Sequence, residues 1–359
     1  MKNLYLVAGL VAFSWMGCGG DGTQFGTTGV SIGTGGAGGN SASSSGSGDV
    51  GGNGSGSTSS GGNPTEVFDP NANGPYAILE LSDTKFVNAS TGNMVPMRAF
   101  YPVGGPTPGP YPVVVVAHGY QIPATQYTNY IKRLATFGYV AITADFPVSF
   151  LGIDDNKMTK DVLSAIEWAG SKPELNANTI NVGMTGHSVG GKLALFAATL
   201  DSRVKASIVL DPVDGRIAVA GGCNPPTCVD VSALMPQLQI PTGFLGETLD
   251  SSGGFQPCAP SADNYLTFFD SANPPTFEAT VKGANHMSFV DDVAACGGTC
   301  GLCNKATLAN ATVNELARAY VTAFYERYLR GNTGYDTYLT GAEAQARYVD
   351  TNLVVINKK

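Results

Sequence analysis

Ser188 stands at the centre of Gly186-His187-Ser188-Val189-Gly190, a G-x-S-x-G pentapeptide that continues into Gly191-Lys192. The pattern carries chemistry where a strand turns sharply into a helix. There the flanking glycines relieve clashes that a Cβ would make, and the serine oxygen is pushed out above the sheet. A serine hydroxyl attacks a carbonyl carbon once a base takes its proton. The chain has three histidines. His118 ends an earlier apolar run, and His187 lies inside the pentapeptide, where its side chain should turn away from the nucleophile. His286, in Gly283-Ala284-Asn285-His286-Met287, is the one histidine downstream of Ser188. It fits the order nucleophile, acid, base that accompanies this motif. The acid has two candidates: Asp211 in Asp211-Pro212-Val213-Asp214-Gly215, and Asp250, shortly after Gly246-Glu247. Either could orient the histidine and stabilise its cation, and spacing does not choose between them. The charge that develops on the attacked carbonyl oxygen calls for two backbone N–H donors. The expected pair is that of Val189 and that of Tyr120, in His118-Gly119-Tyr120-Gln121. The chemistry so described is acyl transfer through serine.

Such residues must be held by strand ends, and the hydropathy pattern supplies strands. Residues 76–88 and 94–103 read as a leading pair. Val113–Ala117 is a short, wholly apolar run of the kind buried on both faces of a parallel sheet, and Val140–Ala144 reads as a second buried strand. Ile180–Met184 runs into the pentapeptide, and Ser207–Leu210, Gly243–Leu245 and Thr276–Val281 complete the set. Between them lie helical patterns at Tyr127–Phe137 (ended by Gly138), Met158–Ala169 and Lys192–Leu200, with a closing helix over 305–329. Alternation of this kind predicts an α/β fold: a mostly parallel central sheet with helices on both faces. Its functional groups should collect beyond the carboxyl ends of the strands.

With these motifs in place, the span from about 111 to 304 resembles the chlorophyllases, which are α/β-hydrolases. Pro112-Val113 through His118-Gly119-Tyr120 is similar to their oxyanion strand. Gly186-His187-Ser188-Val189-Gly190-Gly191-Lys192 is similar to their elbow, and Asp211-Pro212-Val213-Asp214-Gly215 to their DPVxG. Cys258-Ala259-Pro260, His286-Met287, Asp291-Asp292 and the late cysteines before Asn304-Lys305 follow in the same order. The resemblance implies a serine carboxylic-ester hydrolase with catalytic Ser188, Asp211 and His286, and it favours Asp211 over Asp250 as the acid. It requires no cofactor and no metal. A departure is Val189, where chlorophyllases commonly carry Arg. Related hydrolases act on lipids and polyesters, so the resemblance implies the mechanism and leaves a small-molecule or polymeric ester as substrate. A binding lipoprotein on a hydrolase scaffold is the rival from another class.

Composition bounds the rest. Lys and Arg number 20 against 28 Asp and Glu, a net charge of −8. That balance argues against nucleic acid as a partner. The apolar run Leu4–Phe13 is too short to span a bilayer but suits a signal peptide, and a small residue precedes Cys18. Residues 1–18 are therefore expected to be an export signal with lipoprotein-like cleavage before Cys18. Residues 19–63 hold 18 of the 47 glycines and no Lys or Arg, the composition of a tether. The expected organisation is a tether over 19–70 and one catalytic domain over 71–359. The expected place is the outer membrane or cell surface, held by the lipid, or otherwise the periplasm or the medium. With Cys18 lipidated, Cys223, Cys228, Cys258, Cys296, Cys300 and Cys303 are an even set that predicts disulfides in an exported chain, their pairing left open. The spacing of Cys296, Cys300 and Cys303 also occurs at metal clusters, a reading that the late position and oxidising compartment disfavour.

Overall fold

The computed structural model describes residues 66–149, 153–215, 226–252, 257–296 and 298–359. The export signal, Cys18, most of the expected tether and Cys223 lie outside them. The described residues build a nine-stranded sheet in the order β1-β2-β4-β3-β5-β6-β7-β8-β9. The strands are β1 Ala77–Asp83, β2 Met97–Val103, β3 Tyr111–Ala117, β4 Val140–Ala144 and β5 Ala177–Gly186. They continue with β6 Val204–Leu210, β7 Thr242–Glu247, β8 Thr276–Val281 and β9 Val354–Lys358. From β4 across to β8 every pairing is parallel, while β1, β2 and β9 pair antiparallel to their neighbours. This is the mostly parallel α/β sheet that the alternation predicts, in the α/β-hydrolase form that the resemblance implies.

The β3 sequence Val113-Val114-Val115-Val116 shows why the sheet is sandwiched. All four side chains are fully buried, and successive ones point to opposite faces. Val114 and Val116 pack with the helices α1 (Thr128–Thr136) and α5 (Asn310–Tyr328), through Tyr130, Ile131, Tyr320 and Phe324. Val113 and Val115 pack with α2 (Asp155–Gly170) and α3 (Val189–Leu200), through Val162, Ile166 and Leu193. A short helix, α4 (Tyr265–Ser271), adds Phe268 to that second layer. Close packing is visible at Gly183, where a Cβ would come within 2.3 Å of the Tyr325 ring.

Several elements differ from the sequence expectation. The leading strands are shorter, because residues 84–96 turn back on themselves and leave a single bridge between Val87 and Met94. Helix α3 starts at Val189 rather than Lys192, since the Ser188 carbonyl already accepts the Lys192 N–H (3.2 Å). The closing helix starts at Asn310 rather than 305: Thr307 and Leu308 donate their N–H groups to the Gly283 carbonyl (2.9 Å each) and lie as a strap beside the His286 loop. Residues 66–70 belong to the folded body rather than to a tether. Asp69 pairs with Arg347 (2.9 Å), and the Phe68 N–H reaches the Tyr335 hydroxyl (3.1 Å).

The chain passes from β3 to β4 on one side and then returns to β5 on the other side of β3. The carboxyl ends of β3 and β5 therefore open a crevice, the place where such sheets bind ligands. His118-Gly119-Tyr120 follows β3 and Ser188 follows β5, so both stand at this crevice.

Candidate active site

The turn at Ser188 is as tight as the glycine spacing requires. A Cβ on Gly186 would lie 2.1 Å from the Gly190 carbonyl oxygen, and one on Gly190 2.3 Å from that of Ala117. Ser188 takes φ 59° and ψ −127°, a region that side-chain-bearing residues rarely occupy. Neighbouring strands hold it there. The His187 N–H donates to the Ala117 carbonyl and the Ser188 N–H to that of Leu210, each at 3.1 Å. The nucleophile candidate is thus fixed by β3 on one side and β6 on the other.

His286 begins a single 3-10 turn, His286–Phe289. Its Nε2 lies 2.8 Å from Ser188 Oγ, and its Nδ1 lies 2.6 Å from Asp211 Oδ2. All three residues are buried. Asp211 follows β6 with φ 40°, and its own N–H is held by the Leu245 carbonyl at 2.6 Å. Burial pushes the Asp211 carboxyl up from its ordinary value, and the nearby charge of Asp250 adds to this; the hydrogen bond and charge of His286 pull it back down. Its second oxygen, Oδ1, has no hydrogen-bond partner among the described residues.

Asp250 does something else. Its Oδ2 accepts the backbone N–H of His286 (2.8 Å) and its Oδ1 that of Asn304 (2.7 Å). Of the two acid candidates, Asp211 meets the ring and Asp250 meets the main chain. Glu247 closes the acidic group by accepting the N–H groups of Leu249 and Asp250. Burial, with the charge of Asp211 beside it, pushes Glu247 up to about 8.

Of the two expected oxyanion donors, Val189 directly follows Ser188. Val189 is the first residue of α3, so the helix ladder does not use its N–H. The turn carrying Tyr120 is close by, since a Cβ on Gly119 would stand 3.4 Å from that of Ser188. The Val189 side chain is buried in the apolar layer with Leu193, where Arg would bring a charge.

Several supporting groups escape sequence reasoning. Asn310 and Asn314 of α5 donate to the Ser288 carbonyl (2.9 and 3.1 Å) and to the Val290 carbonyl (3.0 and 2.6 Å), clamping the far end of the His286 turn. Lys192, fully buried, reaches Asp155 Oδ2 at 2.6 Å and the Asp214 carbonyl at 2.7 Å, tying α3 to α2 and to the loop after Asp211. Its place after the elbow was visible in the sequence, but its partners were not. His187 turns inward and away from the nucleophile, between Tyr127 and the His286 carbonyl. His118 is buried against Phe146, with Nε2 3.0 Å from that residue's carbonyl.

Cys258 is bonded to Cys303 and Cys296 to Cys300, and Cys228 is also half of a disulfide. Asp250, Cys258 and Cys303 place three residues of metal-ligand type together, but the two sulfurs are bonded to each other and neither is a thiolate. The Cys258–Cys303 bridge instead fixes the segment leading to Asn304, whose Nδ2 donates to the Leu249 carbonyl (2.6 Å) and whose carbonyl accepts from Asn285 (2.6 Å).

Compared with known proteins, residues 65–350 match the family model described as Chlorophyllase. Chlorophyllase-2 of Arabidopsis thaliana is 27% identical over 205 residues, covering 51% of this chain and 62% of that protein. Chlorophyllase-1 of the same plant is 26% identical over 234 residues, covering 61% of this chain and 70% of that protein. The chain thus spans less than two thirds of the first relative's length and slightly more than that of the second.

Proposed function

The chain belongs to the chlorophyllase family, and from that premise we propose that it is a serine esterase. Ser188 Oγ attacks an ester carbonyl while His286 Nε2 accepts its proton. The N–H groups of Val189 and Tyr120 stabilise the oxyanion. On collapse of the tetrahedral intermediate, the C–O bond breaks and His286 returns the proton to the departing alcohol, leaving an acyl-serine. Water then adds to the acyl carbon by the same route, giving the acid and restoring Ser188. Asp211 keeps Nδ1 protonated and stabilises the histidine cation. The observation that supports this reading is the buried hydrogen-bonded line from Ser188 Oγ through His286 to Asp211, at 2.8 and 2.6 Å.

The test is hydrolysis of nitrophenyl esters of increasing acyl length by the full chain and by Ser188→Ala, beside labelling with a fluorophosphonate. Ser188→Ala should lose at least about 10³-fold in kcat and should not label. Substantial turnover by the variant would overturn the assignment. Including a chlorophyll ester asks whether the activity in the relatives' names extends to a chain with Val189 after the nucleophile. We further propose export and anchoring through a lipid on Cys18. Palmitate incorporation in a bacterial host should disappear in Cys18→Ala, and incorporation that persists would refute the anchor. Among the described residues no helix is long and apolar enough to cross a membrane.

A further inference from the structure

His187 is a fully buried polar side chain that the mechanism above leaves without a role. Its Nε2 lies 2.8 Å from the backbone carbonyl oxygen of His286. A carbonyl can only accept, so Nε2 must carry the proton. Burial, with the neighbouring His286 ring, holds His187 well below the ordinary imidazole range, so the ring is neutral. In a neutral ring Nδ1 is then an acceptor, and the hydroxyl 2.8 Å away belongs to Tyr127. Tyr127 O–H therefore donates to Nδ1. Its oxygen in turn accepts the backbone N–H of Gly119 at 3.2 Å. The directions are forced from end to end: Gly119 N–H to Tyr127 O, Tyr127 O–H to His187 Nδ1, His187 Nε2–H to His286 O. Tyr127, like His187, is fully buried, so water does not compete for these bonds.

We propose that Tyr127 and His187 are positioning residues that tie the turn bearing the Tyr120 N–H to the turn bearing His286. The inference rests on the serine-esterase reading. Neither group touches the reacting atoms; each sets where groups that do so stand. The bridge joins Gly119, which immediately precedes Tyr120, to the main chain of His286 itself. A shift at either end would change the distance between the proton acceptor and the oxyanion donors, which must both be correct at the same moment. A neutral partner also suits the position. The two imidazole rings have centroids 4.6 Å apart, and His286 becomes a cation during attack. A charged His187 would repel that cation, whereas a ring held neutral by a hydroxyl donor does not.

The test compares Tyr127→Phe, His187→Asn and His187→Gln with Ser188→Ala in the full chain, using nitrophenyl butyrate and a fluorophosphonate, with melting temperature as the fold control. Tyr127→Phe should lower kcat about tenfold with KM within about twofold of the parent, the loss expected for one buried hydrogen bond acting on the transition state. His187→Asn should lose about a hundredfold, because its amide is too short to reach the His286 carbonyl. The Gln amide nitrogen can reach the place of Nε2, so His187→Gln should recover about tenfold over Asn. Labelling by the fluorophosphonate should slow in the same order. Tyr127→Phe with parental kcat, or Gln no better than Asn, would overturn the bridge while an inactive Ser188→Ala left the esterase reading standing. Turnover surviving in Ser188→Ala would overturn both.

Discussion

The two carboxylates beside His286 should be separable by the same substitution. Asp211→Asn strikes the ring. If the amide nitrogen takes the place of Oδ2, it faces Nδ1–H and drives the proton to Nε2, which can then no longer accept from Ser188. If the amide oxygen keeps that place, the NH₂ takes the buried position of Oδ1, which accepts no hydrogen bond among the described residues. Either way the negative charge 2.6 Å from Nδ1 is lost as the histidine becomes a cation. The expected loss is about 10⁴-fold in kcat. Asp250→Asn strikes the main chain. An amide has one acceptor atom for the two N–H groups now held at 2.8 and 2.7 Å, so one of them meets an NH₂. Losing one buried bond to a charged acceptor costs about 1–3 kcal/mol, roughly ten- to a hundredfold if all of it falls on the transition state. The two variants should then differ by at least about a hundredfold. The assay is kcat for nitrophenyl butyrate with the full chain, beside the melting temperature. Asp250→Asn falling as far as Asp211→Asn would refute the division of roles.

Other perturbations follow from buried charges and from the disulfide. Lys192→Met removes the buried cation that lies 2.6 and 3.5 Å from the carboxylates of Asp155 and Asp214, and should cost about 3–5 kcal/mol in denaturant unfolding. A loss below about 1 kcal/mol would refute that account. Replacing Cys258 and Cys303 with Ser opens a bridge of sequence separation 45 and should cost about 2–4 kcal/mol. It should also lower kcat through Asn304 and Asp250, and a stability loss with unchanged kcat would separate the bridge from the site. Glu247 is pushed up to about 8, so the folded state holds a proton that the unfolded chain releases above its ordinary carboxylate value. Its contribution is therefore fully present below about pH 4.5 and is lost as pH rises towards about 8. In Glu247→Gln the melting temperature should fall less than the parent's between those limits, and an identical decline in both would refute the account.

How far the chain was legible depended on the range of the physics involved. Alternation of apolar runs with helical patterns is local, and it was enough for a mostly parallel α/β sheet and for the central strands; the hydrolase form of that fold came from the family resemblance. It did not show β9 or α4, which are short, nor the strap over 305–309, whose backbone donors are satisfied by Gly283 rather than by a helix. The elbow was equally local. Gly186 and Gly190 announce a turn in which a Cβ cannot fit, and the one histidine downstream of Ser188 leaves little choice of base.

The division of labour between Asp211 and Asp250 was not local. Both follow strands on the same side of the sheet, and neither spacing nor residue type separates an acid that meets a ring from one that meets a peptide N–H. That difference arises because β6 delivers Asp211 under the imidazole, while the Cys258–Cys303 bridge and Asn304 hold Asp250 against the main chain. His187 shows the same limit. The elbow motif said that its side chain must turn away from the nucleophile. Only the folded chain, by bringing Tyr127 and a carbonyl 99 residues away to opposite ring nitrogens, decided what it turns towards. Sequence determined which residue types could do chemistry and the strands and turns that carry them. Tertiary structure decided which polar atom each one meets, because a directional hydrogen bond is set within tenths of an ångström by where separate strand ends converge.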